Sequence, residues 1–133
     1  MTASQPAAEA VLRIEIPRLP PFQCGTNYHG SYWPRVKATR AAHDEVIALI
    51  REQQAVGEPM AHAVVTVTFV VPDKRVRDKG NLIAAAKPFV DALKLAGVIK
   101  DDRWTLTREE YPDVEYQKGV RKTIIEVADA NPS

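Results

Sequence analysis

The sequence predicts an α+β fold in a single domain, with a mixed β-sheet of about four strands and two main helices packed on it. Three observations carry that expectation. Residues 63–71 form a nearly unbroken β-branched run, which is strand composition. Residues 34–50 repeat apolar side chains at helical spacing. The chain has 133 residues, a length suited to one core, and no internal repeat or change of composition divides it.

The elements follow in order. Residues 1–10, rich in Ala, Ser and Gln, are expected to be a disordered tail, as are residues 129–133, leaving 11–128 as the domain. Residues 11–16 alternate apolar and charged side chains, the pattern of a half-buried strand that Pro17, Pro20 and Pro21 end. Residues 22–33 form a loop rich in Gly, Asn and Tyr. From Pro34 the spacing of Val36, Thr39, Ala42, Val46, Leu49 and Ile50 predicts a helix, with Ser31 as its cap and Gly57 with Pro59 as its stop. The run at 63–71 is expected to be a central strand covered on both faces, stopped by Pro72. After a polar loop at 73–80, Phe89, Val90, Leu93 and Ala96 predict a second helix. Pro88 belongs in its first turn or at a kink, so 81–86 becomes a separate helical turn. Gly97 caps the end and Asp101-Asp102 turns the chain. Strands are expected at 103–111 and 120–127, with turns near Pro112-Asp113 and Lys118-Gly119.

Bulk properties narrow the function classes. An apolar fraction of 45% with 26% charged residues excludes a chain too polar to fold. Cys24 is the single cysteine, so no internal disulfide forms, and no Cys/His spacing suggests zinc. No apolar run approaches the ~20 residues of a membrane span, and no signal-peptide pattern opens the chain, so a cytoplasmic location is expected. Net charge is only +1, but its distribution is uneven. Lys74, Arg75, Arg77, Lys79, Lys87, Lys94, Lys100 and Arg103 crowd one segment, and Arg35, Lys37 and Arg40 another. Basic patches on a neutral protein are compatible with DNA binding.

The segment from Asp73 to Arg103 also holds acids: Asp78, Asp91, Asp101 and Asp102. Phosphodiester hydrolysis needs charge neutralisation, an activated water and a phosphate held in line. Carboxylates supply hard oxygen ligands for magnesium, and Lys or Arg orients the phosphate. The helix from Pro88 to Ala96 advances ~14 Å, and the stretch 97–101 can span up to ~17 Å. Asp102 is therefore able to return near the helix start, where one site can collect carboxylates from both ends of the unit.

The motifs are Asp78-Lys79-Gly80-Asn81, then Lys87-Pro88-Phe89-Val90-Asp91-Ala92-Leu93, then Lys100-Asp101-Asp102. On these residues the chain resembles the RusA-type Holliday junction resolvases, crossover junction endodeoxyribonucleases of phages and prophages. Pro20-Pro21, Thr26-Asn27-Tyr28-His29 and Gly119-Val120-Arg121 add weaker likeness, and the whole covers about residues 12–127. The resemblance implies a magnesium-dependent endodeoxyribonuclease, with Mn2+ as a substitute. It would resolve four-way or related branched DNA by paired nicks, as a homodimer in a bacterial or phage-infected cell. Asp78 and Asp102 would be metal ligands, with Asp101 or Asp91 as further candidates, and Lys87 would contact the phosphate or leaving oxygen. Asn81 would fix the loop and Asp91 would cap or orient the site. Lys74, Arg75, Arg77, Lys79, Arg103, Arg35 and Lys37 would grip DNA. Two departures stand out. Gly80 occupies the place of the family's second aspartate, and Asn81 and Lys87 are about three residues further apart than in the short motif. Longer forms ending in Lys-Pro look like a branch seen in actinobacterial phages.

Plainer readings stand beside these. Asp78 among Lys and Arg suits a surface ion pair, Asp101-Asp102 suits an ordinary turn, and Asp91 suits a helix acid paired with Lys87 or Lys94. Tyr28, Tyr32 and Trp33 suit core or dimer packing, with stacking on exposed bases as the other use. His43 is expected to be structural, and Cys24 inert. A branched-DNA binder that lost catalysis through Gly80, or a phage protein–protein adaptor, would each be consistent with parts of the pattern.

Overall fold

β-branched side chains fit a pleated sheet flanked by strands on both edges, and residues 63–71 take that place. In the computed structural model, which describes residues 12–53, 58–75, 77–101, 106–112 and 114–130, this run is β2 (Ala63–Val71), the centre of the sheet. β5 (Lys122–Asp129) lies antiparallel along one edge, from Ala63 opposite Asp129 to Val70 opposite Lys122. β1 (Leu12–Ile16) pairs antiparallel with β5. The other edge of β2 takes two short parallel strands in succession, β3 (Thr107–Glu110) and β4 (Val114–Tyr116). The sheet is therefore mixed and five-stranded.

β3 and β4 share one edge, with Pro112 between them; proline lacks the N–H that a continuous strand would donate. That interruption is why four strands are expected from composition and five are formed. Residues 103–105 of the expected strand at 103–111 lie outside the described residues. The last strand is shifted two residues onward, so Asp129, expected in the tail, is still paired with Ala63.

Two main helices, α1 (Tyr32–Glu52) and α3 (Lys87–Leu95), pack on one face of the sheet, with the short α2 (Lys79–Ala85) leading into α3. Val46 and Ile50 of α1 and Phe89 and Leu93 of α3 are fully buried against Ile14, Val65, Val67, Phe69 and Ile125 in one core. The opposite face stays half-exposed at Val64, Thr66 and Thr68. Cover on both faces, expected for β2, is thus corrected to cover on one face. The β-branched run answers to pairing on both edges rather than to two helical layers, and on the far side only Val70 is buried.

Local signals account for the helix limits. Ser31 occupies the N-cap position of α1, but its side chain makes no capping bond. Asp78 caps α2 by accepting from the Asn81 N–H at 3.1 Å, which starts the helix at Lys79 rather than at residue 81. Pro88 falls in the first turn of α3, where its missing N–H is harmless. Gly97, at φ 81, ends it in the left-handed conformation favoured beyond a helix terminus. Among the described residues no helix is long and apolar enough to cross a membrane.

Candidate nucleic-acid interface and metal site

The β2–α2–α3 unit positions most of the acids and cations singled out in the sequence. Asp78 stands at the head of α2 with its carboxylate exposed. Although it is flanked by Arg77 and Lys79, it forms no ion pair among the described residues; the Asn81 N–H is its one hydrogen-bond donor there. Arg77 is turned into its own loop instead. Its side chain is only 13% exposed, and its guanidinium donates to the Asp73 carboxylate at 2.9 Å and to the Asp73 and Arg75 carbonyls. That bond, with the Arg75 N–H, holds the Asp73 carboxyl below its ordinary value of 3.8. Lys74 lies over the Tyr116 ring at 5.1 Å, Arg75 stays exposed beside Asp73, and Lys79 and Lys37 are exposed.

Asn81 binds the two halves of the site. Its Oδ1 accepts from the Thr26 hydroxyl at 3.2 Å and the Asn27 N–H at 3.0 Å. The approach requires glycine at residue 25, where a Cβ would stand 2.5 Å from that oxygen. The same loop is held from the other side by Arg35, which donates to the Gly25 and Tyr28 carbonyls and lies 5.3 Å from the Tyr28 ring centre. Arg35 is therefore largely spent on the loop.

Along α3 the charges form a ladder. Lys87 donates to Asp91 at 3.1 Å, one helical turn on, and Lys94 lies 3.7 Å from Asp101. Lys87 and Asp91 border two adjoining hollows between α1 and α3. One, of about 230 Å³, is lined by Cys24, Arg35 and Thr39; the other, of about 330 Å³, by His43, Lys94 and Leu95. Arg35, Thr39 and His43 recur every four residues, a stripe of α1 aimed at α3 that was legible as spacing but not as function. His43 Nε2 is shut off from solvent and has no hydrogen-bond partner among the described residues. Tyr111, also unanticipated, stacks on Phe69 and donates to Glu109 at 2.7 Å. Burial, that bond and the nearby charges of Glu109 and Asp91 push its hydroxyl above the ordinary tyrosine range.

Asp101 is anchored where β2 begins. The Lys100 N–H donates to the Met60 carbonyl at 2.9 Å, and the Thr107 hydroxyl donates to the Asp101 carbonyl. Asp78 follows the opposite end of β2 in sequence, seven residues after Val71. The structure thus brings Lys87 to Asp91 and Lys94 to Asp101, and it does not pair Asp78 with either couple. Asp102 and Arg103 lie outside the described residues, as does any contact they make. Among the described residues no group of three or more His, Cys, Asp or Glu side chains surrounds a metal-sized space.

No protein-family model matches the chain, and no curated protein matches it.

Gly80 lies beside Asp78, the motif acid that forms no ion pair among the described residues. A Cβ there would sit 3.3 Å from Asp78 Oδ1, so a longer acidic side chain at residue 80 would share Asp78's surroundings. An exposed carboxylate not neutralised by a neighbouring cation suits a hard divalent ion, whose ligands are oxygens. Asp78 meets that requirement; Asp91 and Asp101, each spent on a lysine, meet it less well.

Proposed function

We propose that the chain is a magnesium-dependent, structure-selective endodeoxyribonuclease that nicks branched DNA of the four-way-junction type. The observation that carries the reading is the Asp78 carboxylate, exposed among cations yet without an ion pair among the described residues. The Asn81 N–H takes Oδ1 as the helix cap, and no cation among the described residues neutralises the carboxylate. Magnesium bound by Asp78 and Asp102 would neutralise charge on the scissile phosphate and supply an activated water.

The remaining roles belong to side chains. Lys87 points its ammonium to a phosphate oxygen and steadies the leaving oxygen, and Asp91 orients that lysine through the 3.1 Å bond. Asn81 keeps the loop at 25–27 against the head of α2, so the DNA side of the site is built before substrate arrives. Lys37, Lys74, Lys79 and Arg103 serve as phosphate contacts. A homodimer would present two such sites to opposite strands.

Gly80 favours a second reading, a branched-DNA binder without catalysis, because it removes a carboxylate where the resolvase motif has one. Incubating a synthetic four-way junction with the protein, with and without magnesium, separates the two. Metal-dependent paired nicks support the enzyme. Junction binding with no nicks in magnesium or manganese leaves only the binder. Affinity that does not fall with rising salt removes DNA altogether and favours a protein–protein adaptor.

A further inference from the structure

The head of α1 carries an aromatic cluster that the core does not use. Tyr32 is 69% exposed and Trp33 64% exposed, and the two rings meet edge to face at 5.2 Å. Phe22, 59% exposed, meets Tyr28 in the same manner at 6.1 Å. Tyr28 is fixed by its hydroxyl, which donates to the Ser31 carbonyl at 2.9 Å, and by Gly30, where any Cβ would run into the Tyr28 ring. The two aromatic pairs are therefore joined through residues 28–32. Packing in the core, the commoner fate of such rings, is excluded for Tyr32 and Trp33 by their exposure.

Charge selects the occupant. Between Glu15 and Asp44 the chain contains no acid, while Lys37 and Arg40 lie one and two turns beyond Trp33 on the same face of α1. Both are exposed, and neither forms an ion pair among the described residues. An apolar protein partner would leave these two cations without anions. A nucleic acid with unpaired bases satisfies both halves, since its bases offer π faces to the rings and its phosphates offer anions to the cations.

We infer that Tyr32 and Trp33, with Lys37 and Arg40, form a stacking platform for unpaired bases of DNA. The inference rests on the proposed DNA-acting role but not on metal chemistry. Bases that unpair when the arms of a branched substrate open would be held there, so the platform would favour branched DNA independently of cleavage.

The test measures binding of fluorescent oligothymidine and of a fully paired duplex, in chelator, so that no metal or cutting is involved. Wild-type protein is expected to prefer oligothymidine. Trp33→Ala and Tyr32→Ala are each expected to weaken that binding roughly ten-fold while changing duplex affinity less than about two-fold. Trp33→Phe should retain most of it, because a ring remains. Both alanine variants alter exposed side chains and should keep the wild-type melting curve. Unchanged oligothymidine affinity in the alanine variants overturns the inference. So does sedimentation showing that the rings instead hold two copies of the chain together. Equal wild-type affinity for duplex and oligothymidine sinks the platform but spares the nuclease; no binding to either of these or to a four-way junction sinks both.

Discussion

At the scale of single residues, the site depends on bonds that sequence spacing does not reveal. Asn81 reaches back 55 residues to Thr26, and nothing local announces that contact. Asn81→Ala removes the acceptor for the Thr26 hydroxyl and the Asn27 N–H, so it should cost about 1–3 kcal/mol in urea unfolding. A loss under ~0.5 kcal/mol would mean the loop is held by Arg35 alone. Gly80→Asp tests the missing carboxylate from the opposite direction: a second acid beside Asp78 should tighten magnesium binding, measured by calorimetry, several-fold. Asp73 offers a pH readout. Its folded pKa lies below 3.8, so its pairing with Arg77 contributes above that value and is lost as pH falls through the folded value. Carbon NMR should place the Asp73 carboxyl titration below 3.8, and in Arg77→Ala it should move upward.

Elements were more legible than contacts. The β-branched run at 63–71 and the alternation at 11–16 announced β2 and β1, because strand composition and period are local properties. The Lys87–Asp91 pair was equally visible, since four residues is one helical turn. β4 was not, because three residues after a proline carry no period, and their place on β2 is decided by tertiary pairing. The start of α2 hid behind Gly80, a poor helix former, although Asp78 was the capping signal. The cover of β2 was misjudged because central pairing and double-sided burial select the same residues. Element-level packing has its own prediction. Phe89 is fully buried between α1, α3 and the sheet, so Phe89→Ala should lose about 3–5 kcal/mol of stability. Chemical denaturation reads that loss directly, and a value under ~1 kcal/mol would mean α3 is not packed as described.

Across the whole molecule, the sheet and two main helices are a scaffold that sets charged groups along one flank. α1 and α3 border the hollows shared by Arg35, His43, Lys87 and Asp91, and the head of α2 sits against the loop that leads into α1. The fold alone does not specify a nuclease; the proposed activity lives in a few side chains mounted on it. It requires the carboxylates at 78 and 102, separated by α2 and α3 in sequence, to take hold of one ion. The chain is small enough, at 14.8 kDa, for residue-by-residue NMR. Titration with manganese, whose unpaired electrons broaden nearby amide signals, tests that requirement. The signals of Asp78, Lys79, Asp102 and Arg103 should fade together at the lowest metal concentrations, and magnesium should restore them. Broadening at Asp78 without Asp102, or centred on neither, would contradict a shared metal site and with it the proposed hydrolysis.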